Sequence, residues 1–223
     1  WGNIVWYSMV YAFYGCGNLV SNATDSPDLS QVTNMSYAFS GASTFNADLS
    51  GWDVSNVTNM RYMFSGAYTF NGNIGTWNVS KVNDMSNMFN GANSFNQDLN
   101  LWDVSKVIWM WYMFENARSF NGNISNWNPS SVINMSNMFS SAYVFNQNIG
   151  NWNVSNVTAM GSMFGRASAF NQDLNSWNVA KVTDMSSMFS QAPAFNGNVS
   201  SWDVSKVINM ASMFNQADAF NSD

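Results

Sequence analysis

The sequence predicts an α/β repeat solenoid, with one short strand and one short helix in each 25-residue turn and about eight turns after an N-terminal unit. Three observations carry that expectation. Tryptophan recurs at Trp52, Trp77, Trp102, Trp127, Trp152, Trp177 and Trp202 with no insertion between them. Two phenylalanine columns, Phe39 to Phe214 and Phe45 to Phe220, keep the same spacing, and Phe13 is the one Phe outside them. Within a turn the apolar residues fall at helical intervals. A repeat of this length cannot bury its own apolar face, so neighbouring copies must share one continuous core.

In the turn that begins at Val57, the residues Met60, Met63, Phe64 and Ala67 lie at i, i+3, i+4 and i+7, one face of a helix of about two turns, with Thr58 placed as its N-cap and Gly66 near its end. The stretch 74–79 then places apolar residues among small polar ones and reads as a short strand pairing with its copies above and below. Residues 79–82 return the chain to the next helix. The Ala42 to Ala217 column reads as a tight inward position, since a larger side chain would clash in every turn. Cys16 occupies that column in the first unit and is expected to be a small buried thiol. Residues 1–26 form this diverged first repeat or cap, and 27–223 form a single continuous domain of 25-residue repeats.

Polar columns follow the same register. Asn46, Asn71, Asn96, Asn121, Asn146, Asn171, Asn196 and Asn221 each follow a core Phe, which suggests an amide ladder satisfying backbone groups of neighbouring turns. Asp and Asn alternate at 48, 73, 98 and 123 and at 53, 78, 103 and 128, so that every second carboxylate is replaced by a neutral isostere with the same acceptor. These Asp are too sparse to give a calcium ion several hard oxygen ligands, and no metal or other cofactor is expected.

Composition excludes several functions. The chain carries four Lys and three Arg against twelve Asp and one Glu, a formal charge of −6, so no basic face for a nucleic-acid backbone can be assembled. It contains no His and one Cys, which removes imidazole acid–base chemistry and Cys-cluster zinc sites. Glu115 is the only Glu, no Ser or Cys has an imidazole to activate it, and no enzymatic activity is expected. No run approaches the roughly 18 apolar residues of a membrane span, so membrane insertion by this segment is not expected.

In such a chain the informative residues are those that break their column. Trp109 stands where other turns carry Asn59, Asp84, Asn134, Asp184 and Asn209, and Trp111 stands where they carry Arg61, Ser86, Ser136 and Ser186. Both indoles are expected to reach solvent beside Tyr112, Glu115 and Arg118, with Tyr62 and Tyr143 on adjacent turns. Exposed Trp, Tyr and Arg are hot-spot types, so this patch is the candidate binding surface for a protein or glycan ligand.

The block Trp52-Asp53-Val54-Ser55-Asn56-Val57-Thr58-Asn59-Met60, continuing through Met63-Phe64-Ser65-Gly66-Ala67 to Phe70-Asn71, resembles the repeat of BspA-like leucine-rich-repeat surface proteins, found in bacteria including mycoplasma lipoproteins. The resemblance covers residues 27–223. It implies a leucine-rich-repeat-like solenoid, a cell-surface or extracellular location, and a non-enzymatic role in adhesion or in protein or glycan binding, with no catalytic residues to carry over. The alternative is a structural building block of an extracellular filament, coat or appendage. It would self-associate through open solenoid ends, since no polar cap is visible after Phe220-Asn221.

Overall fold

The computed structural model describes residues 1–2 and 4–221; Asn3, Ser222 and Asp223 lie outside the described residues, the last two within the 27–223 repeat region. Successive 25-residue coils stack in register. Single-residue parallel bridges run from Asn34 to Asn59, Asp84, Trp109, Asn134, Ala159, Asp184 and Asn209, and Val5 bridges to Asp28. The first unit joins the stack by the same bonding, Met9 N–H donating to Asn34 O and Tyr11 N–H to Ser36 O.

The helix and strand expected in each turn are not there. Among the described residues the chain forms no helix, and its only bridges are isolated ones. The reason lies in how the backbone N–H groups are used between residues 60 and 67. Met60, Tyr62, Phe64 and Gly66 donate outward to Asp84, Ser86, Met88 and Asn90 of the next coil at 2.7–3.0 Å, whereas Met63, Ser65 and Ala67 donate three residues back within their own coil at 3.1–3.2 Å. An α-helix would require each N–H to reach the carbonyl four residues back, so giving every second donor to the next coil forbids it. Thr58, expected as a helix cap, instead donates its hydroxyl to Thr33 O of the preceding coil at 3.1 Å. The expected strand at 74–79 is likewise a turn, closed by Trp77 N–H on Ile74 O, and the bridging falls in the Asn59 column instead.

This alternation needs two left-handed residues per coil. Tyr62 has φ +56° and Gly66 φ +68°, and the same two columns hold every other non-glycine residue of positive φ. Glycine fills the second position in Gly15, Gly41, Gly66 and Gly91, but Asn116, Ser141, Arg166, Gln191 and Gln216 adopt it in later coils. Each non-glycine residue there costs on the order of 1–2 kcal/mol, which the fixed inter-coil bonding must outweigh.

Three corners per coil are held by Asx turns, in which a side-chain oxygen accepts the N–H two residues on. Asn59, Asn73 and Asn78 do this for Arg61, Gly75 and Ser80. The Asp/Asn alternation is therefore neutral to geometry, because either residue supplies the acceptor. Where Asp is used, bonds from the following Ser hold the carboxyls of Asp48, Asp53, Asp103 and Asp203 below the usual range. Ala159 cannot make the turn that Asn134 and Asp184 make for Ser136 and Ser186. Ala159→Asn is expected to supply the missing acceptor for Gly161 N–H, worth about 1 kcal/mol, and to raise the melting temperature by roughly 2–4 °C in a calorimetric scan.

The core is one column of apolar side chains. Met60, Met63, Phe64, Ala67 and Phe70 and their counterparts from Met85 to Phe195 are fully buried. Rings of the Phe39 column stack at 5.4–5.7 Å and those of the Phe45 column at 5.8–5.9 Å, and the two columns meet inside each coil at 3.8–4.4 Å. Each indole from Trp77 to Trp202 also donates its N–H to a carbonyl of the coil before, for example Trp77 to Leu49 O at 2.9 Å and Trp152 to Ile124 O at 3.1 Å. On the surface, each ladder Asn accepts with Oδ1 the N–H of the next ladder Asn at 2.8–2.9 Å, from Asn46 to Asn71 and on to Asn196 and Asn221. Cys16 differs from its expected environment: it is exposed, whereas Ala42 and Ala67 below it in the column are buried. Those alanines are sandwiched between coils, and Cys16 is covered on one side only.

Candidate functional site

The strained first column is where side chains are thrown outward. It carries Tyr11, Tyr37, Tyr62 and Tyr112 at φ 56–60°, whereas most other coils place Asn or Ser there. Tyr11, Tyr37 and Tyr62 stack face to face at 4.6 and 4.7 Å, and burial pushes the Tyr37 hydroxyl above its ordinary pKa. Next to Tyr62 the strip continues through a cation. The guanidinium of Arg61 lies 5.1 Å from the Tyr62 ring and 5.4 Å from the Trp111 ring, bridging two coils over the fully buried Ser86. Trp111 in turn meets Tyr112 edge to face at 5.5 Å.

Trp109 is 38% exposed. With Arg61, Asp84, Trp111 and Asn134 it lines a groove of about 300 Å³ spanning three coils and reaching to a fourth. Because Trp109 replaces an Asx residue, Trp111 lacks the side-chain acceptor that its equivalents Ser86 and Ser136 enjoy. The substitution thus gives up a local bond, as Ala159 does two coils further on. Arg61 is the residue that the column reading missed as a participant. Its signal was weak, a lone Arg in a column that mixes Ser, Trp, Gly and Ala, 50 residues from the Trp it touches. Among the described residues the Arg61 guanidinium has no carboxylate within ion-pair distance, and its Nε is buried without an acceptor.

The remaining candidates separate from this groove. Arg118 is exposed and sits 5.8 Å from the Tyr143 ring, a pair of its own outside the groove lining. Glu115 is half-buried and lines a second, polar groove of about 330 Å³ together with Ser140, Gly165, Arg166, Ser190 and Gln191. Asn90 Nδ2 donates to Glu115 Oε2 at 2.7 Å and to Asn87 Oδ1 at 3.3 Å, while Asn87 Nδ2 is buried with no partner. Burial raises the Glu115 pKa, and the Asn90 bond partly opposes it. A carboxyl raised on folding stabilises the fold while protonated and loses that contribution as pH rises through the folded pKa. Glu115→Gln is therefore expected to stabilise the chain at pH 7 and to bring no gain below about pH 4, where the unfolded carboxyl is protonated too. Denaturant midpoints at the two pH values check this.

Among the described residues, no three Cys, Asp or Glu side chains gather in a metal-binding group, and no helix is long and apolar enough to cross a membrane. No curated protein matches the chain. A family model described as Mycoplasma protein of unknown function, DUF285, matches residues 7–127 and again residues 110–223, so the repeats that build both the core columns and the groove lie inside its two matches. This stack of 25-residue coils belongs to that Mycoplasma family, DUF285.

Proposed function

We propose that the chain is a non-enzymatic recognition scaffold at the cell surface, mediating adhesion or the binding of a protein or glycan partner through the Trp109–Trp111 face. One observation carries the reading. The Phe, Met, Trp and ladder Asn columns keep their residue types along the stack, and the two tryptophans that break polar columns meet at one groove beside the Arg61 guanidinium. The repeated columns supply the scaffold, and Trp109 stands in place of a residue that would close a turn. The resemblance of the 52–71 block to BspA-like surface proteins supports both the location and the adhesive role.

The double variant Trp109→Ser with Trp111→Ser is expected to weaken binding to cells or matrix-coated surfaces by about tenfold or more, the loss typical of removing hot-spot aromatics. Its thermal unfolding should stay close to that of the native chain. Unchanged binding would sink the reading, and rods seen by negative-stain microscopy would then favour a stretch of an extracellular filament or coat.

A further inference from the structure

We infer that the occupant of the Trp109–Trp111 groove is a saccharide chain laid along the stacking axis, an inference that rests on the recognition reading above. The groove offers hydrogen-bonding groups of both kinds. Asp84 spends Oδ1 on Ser86 N–H and Oγ–H, which leaves Oδ2 to accept. Asn134 spends its Oδ1 on Ser136 N–H, which leaves an amide NH₂ to donate, and Arg61 adds a guanidinium engaged only by ring faces. A ligand must therefore donate to a carboxylate and accept from an amide and a cation within one small groove, beside two indoles. Sugar hydroxyls do both, and the C–H faces of a pyranose lie flat on Trp and Tyr.

Other chemistries fit less well. A phosphate chain meets Asp84 and a formal charge of −6 with one Arg to hold it, and a cationic ligand meets Arg61. A peptide strand would add to a free backbone edge, but here the N–H groups of Tyr112 and Phe114 already bond Ser136 and Met138 of the next coil at 2.9 Å. The groove itself runs across successive coils, from Arg61 past Asp84, Trp109 and Trp111 to Asn134, so it suits a chain of rings rather than a single one.

Isothermal titration tests this with cellotriose, chitotriose, sialyllactose and a hyaluronan hexasaccharide, with bacterially produced recombinant gelatin as a glycan-free polypeptide. The variants are Trp111→Ser, Arg61→Met and, as a variant that restores a turn acceptor, Trp109→Asn. At least one saccharide is expected to bind, with affinity falling about tenfold or more in Trp111→Ser and Trp109→Asn. If no saccharide binds while gelatin binds and loses affinity in the same variants, the saccharide inference is overturned and the recognition face stands. If nothing binds, or the variants bind as the native chain does, both are overturned.

Discussion

Phe114→Ala is expected to destabilise the chain by about 3–5 kcal/mol, the range for emptying a buried aromatic site. Phe114 is fully buried, stacked on Phe89 at 5.4 Å and Phe139 at 5.6 Å and pressed against Phe120 at 3.9 Å. The neighbours cannot close over the cavity. Their backbones are pinned coil to coil by bonds such as Phe89 N–H to Met113 O and Phe114 N–H to Met138 O. The loss should therefore sit in the upper half of the range. Phe13, in the first coil, is only partly buried and packs against the core from its edge, so Phe13→Ala should cost clearly less. Denaturant unfolding of the two variants side by side measures the difference. Equal losses would mean that the coils fold without sharing a core.

Trp152→Phe is expected to cost about 2 kcal/mol, through the lost indole hydrogen bond and the smaller ring. The Ile124 carbonyl accepts twice, from Trp127 N–H within its coil at 3.2 Å and from the Trp152 indole of the next coil at 3.1 Å. Removing the indole leaves the first bond in place, so the effect stays below that of a fully orphaned buried carbonyl. Indole N–H exchange followed by NMR offers a direct check. Trp152 should be among the slow protons of the native chain, and the variant should lose one such signal together with the stability. A Trp152→Phe chain as stable as the native one would remove the indole ladder from the list of forces that hold the coils together.

Which side chains face inward was legible in the spacing, because Met60, Met63, Phe64 and Ala67 are all buried. What encloses them was not. Apolar residues at i, i+3, i+4 and i+7 mark one face of a helix, but successive turns closed three residues back return side chains inward at nearly the same intervals. The choice between them is made by Asp84, Ser86, Met88 and Asn90, whose carbonyls capture alternate N–H groups from a coil 25 residues earlier in the chain. No local window of sequence contains that information. A partial signal was present in the Asx residues, since Asn59 and Asp84 two residues before the next polar position suit a turn better than a helix interior. The indole ladder had a signal too: the Trp column never gives way to Phe, as expected where the N–H is needed.

The candidate site divides in the same way. Trp109 and Trp111 were visible because each breaks a polar column, and the structure places both at one groove. Arg61 was hidden because its column tolerates mixed residues and its partner is two coils away. Arg118 and Tyr143 looked like part of the patch from sequence adjacency, but their column turns onto a different stretch of surface, where they pair with each other.

The central claim is that the column-breaking aromatics serve recognition and not folding, and the most direct test measures both properties on one variant. Trp109→Asn with Trp111→Ser should unfold within about 1 kcal/mol of the native chain, because the restored Asx acceptor offsets the lost aromatic contacts. Its binding to a saccharide- or matrix-coated surface should fall by about tenfold or more. A variant that is several kcal/mol less stable yet binds as before would contradict the claim, and would make the two indoles part of the fold.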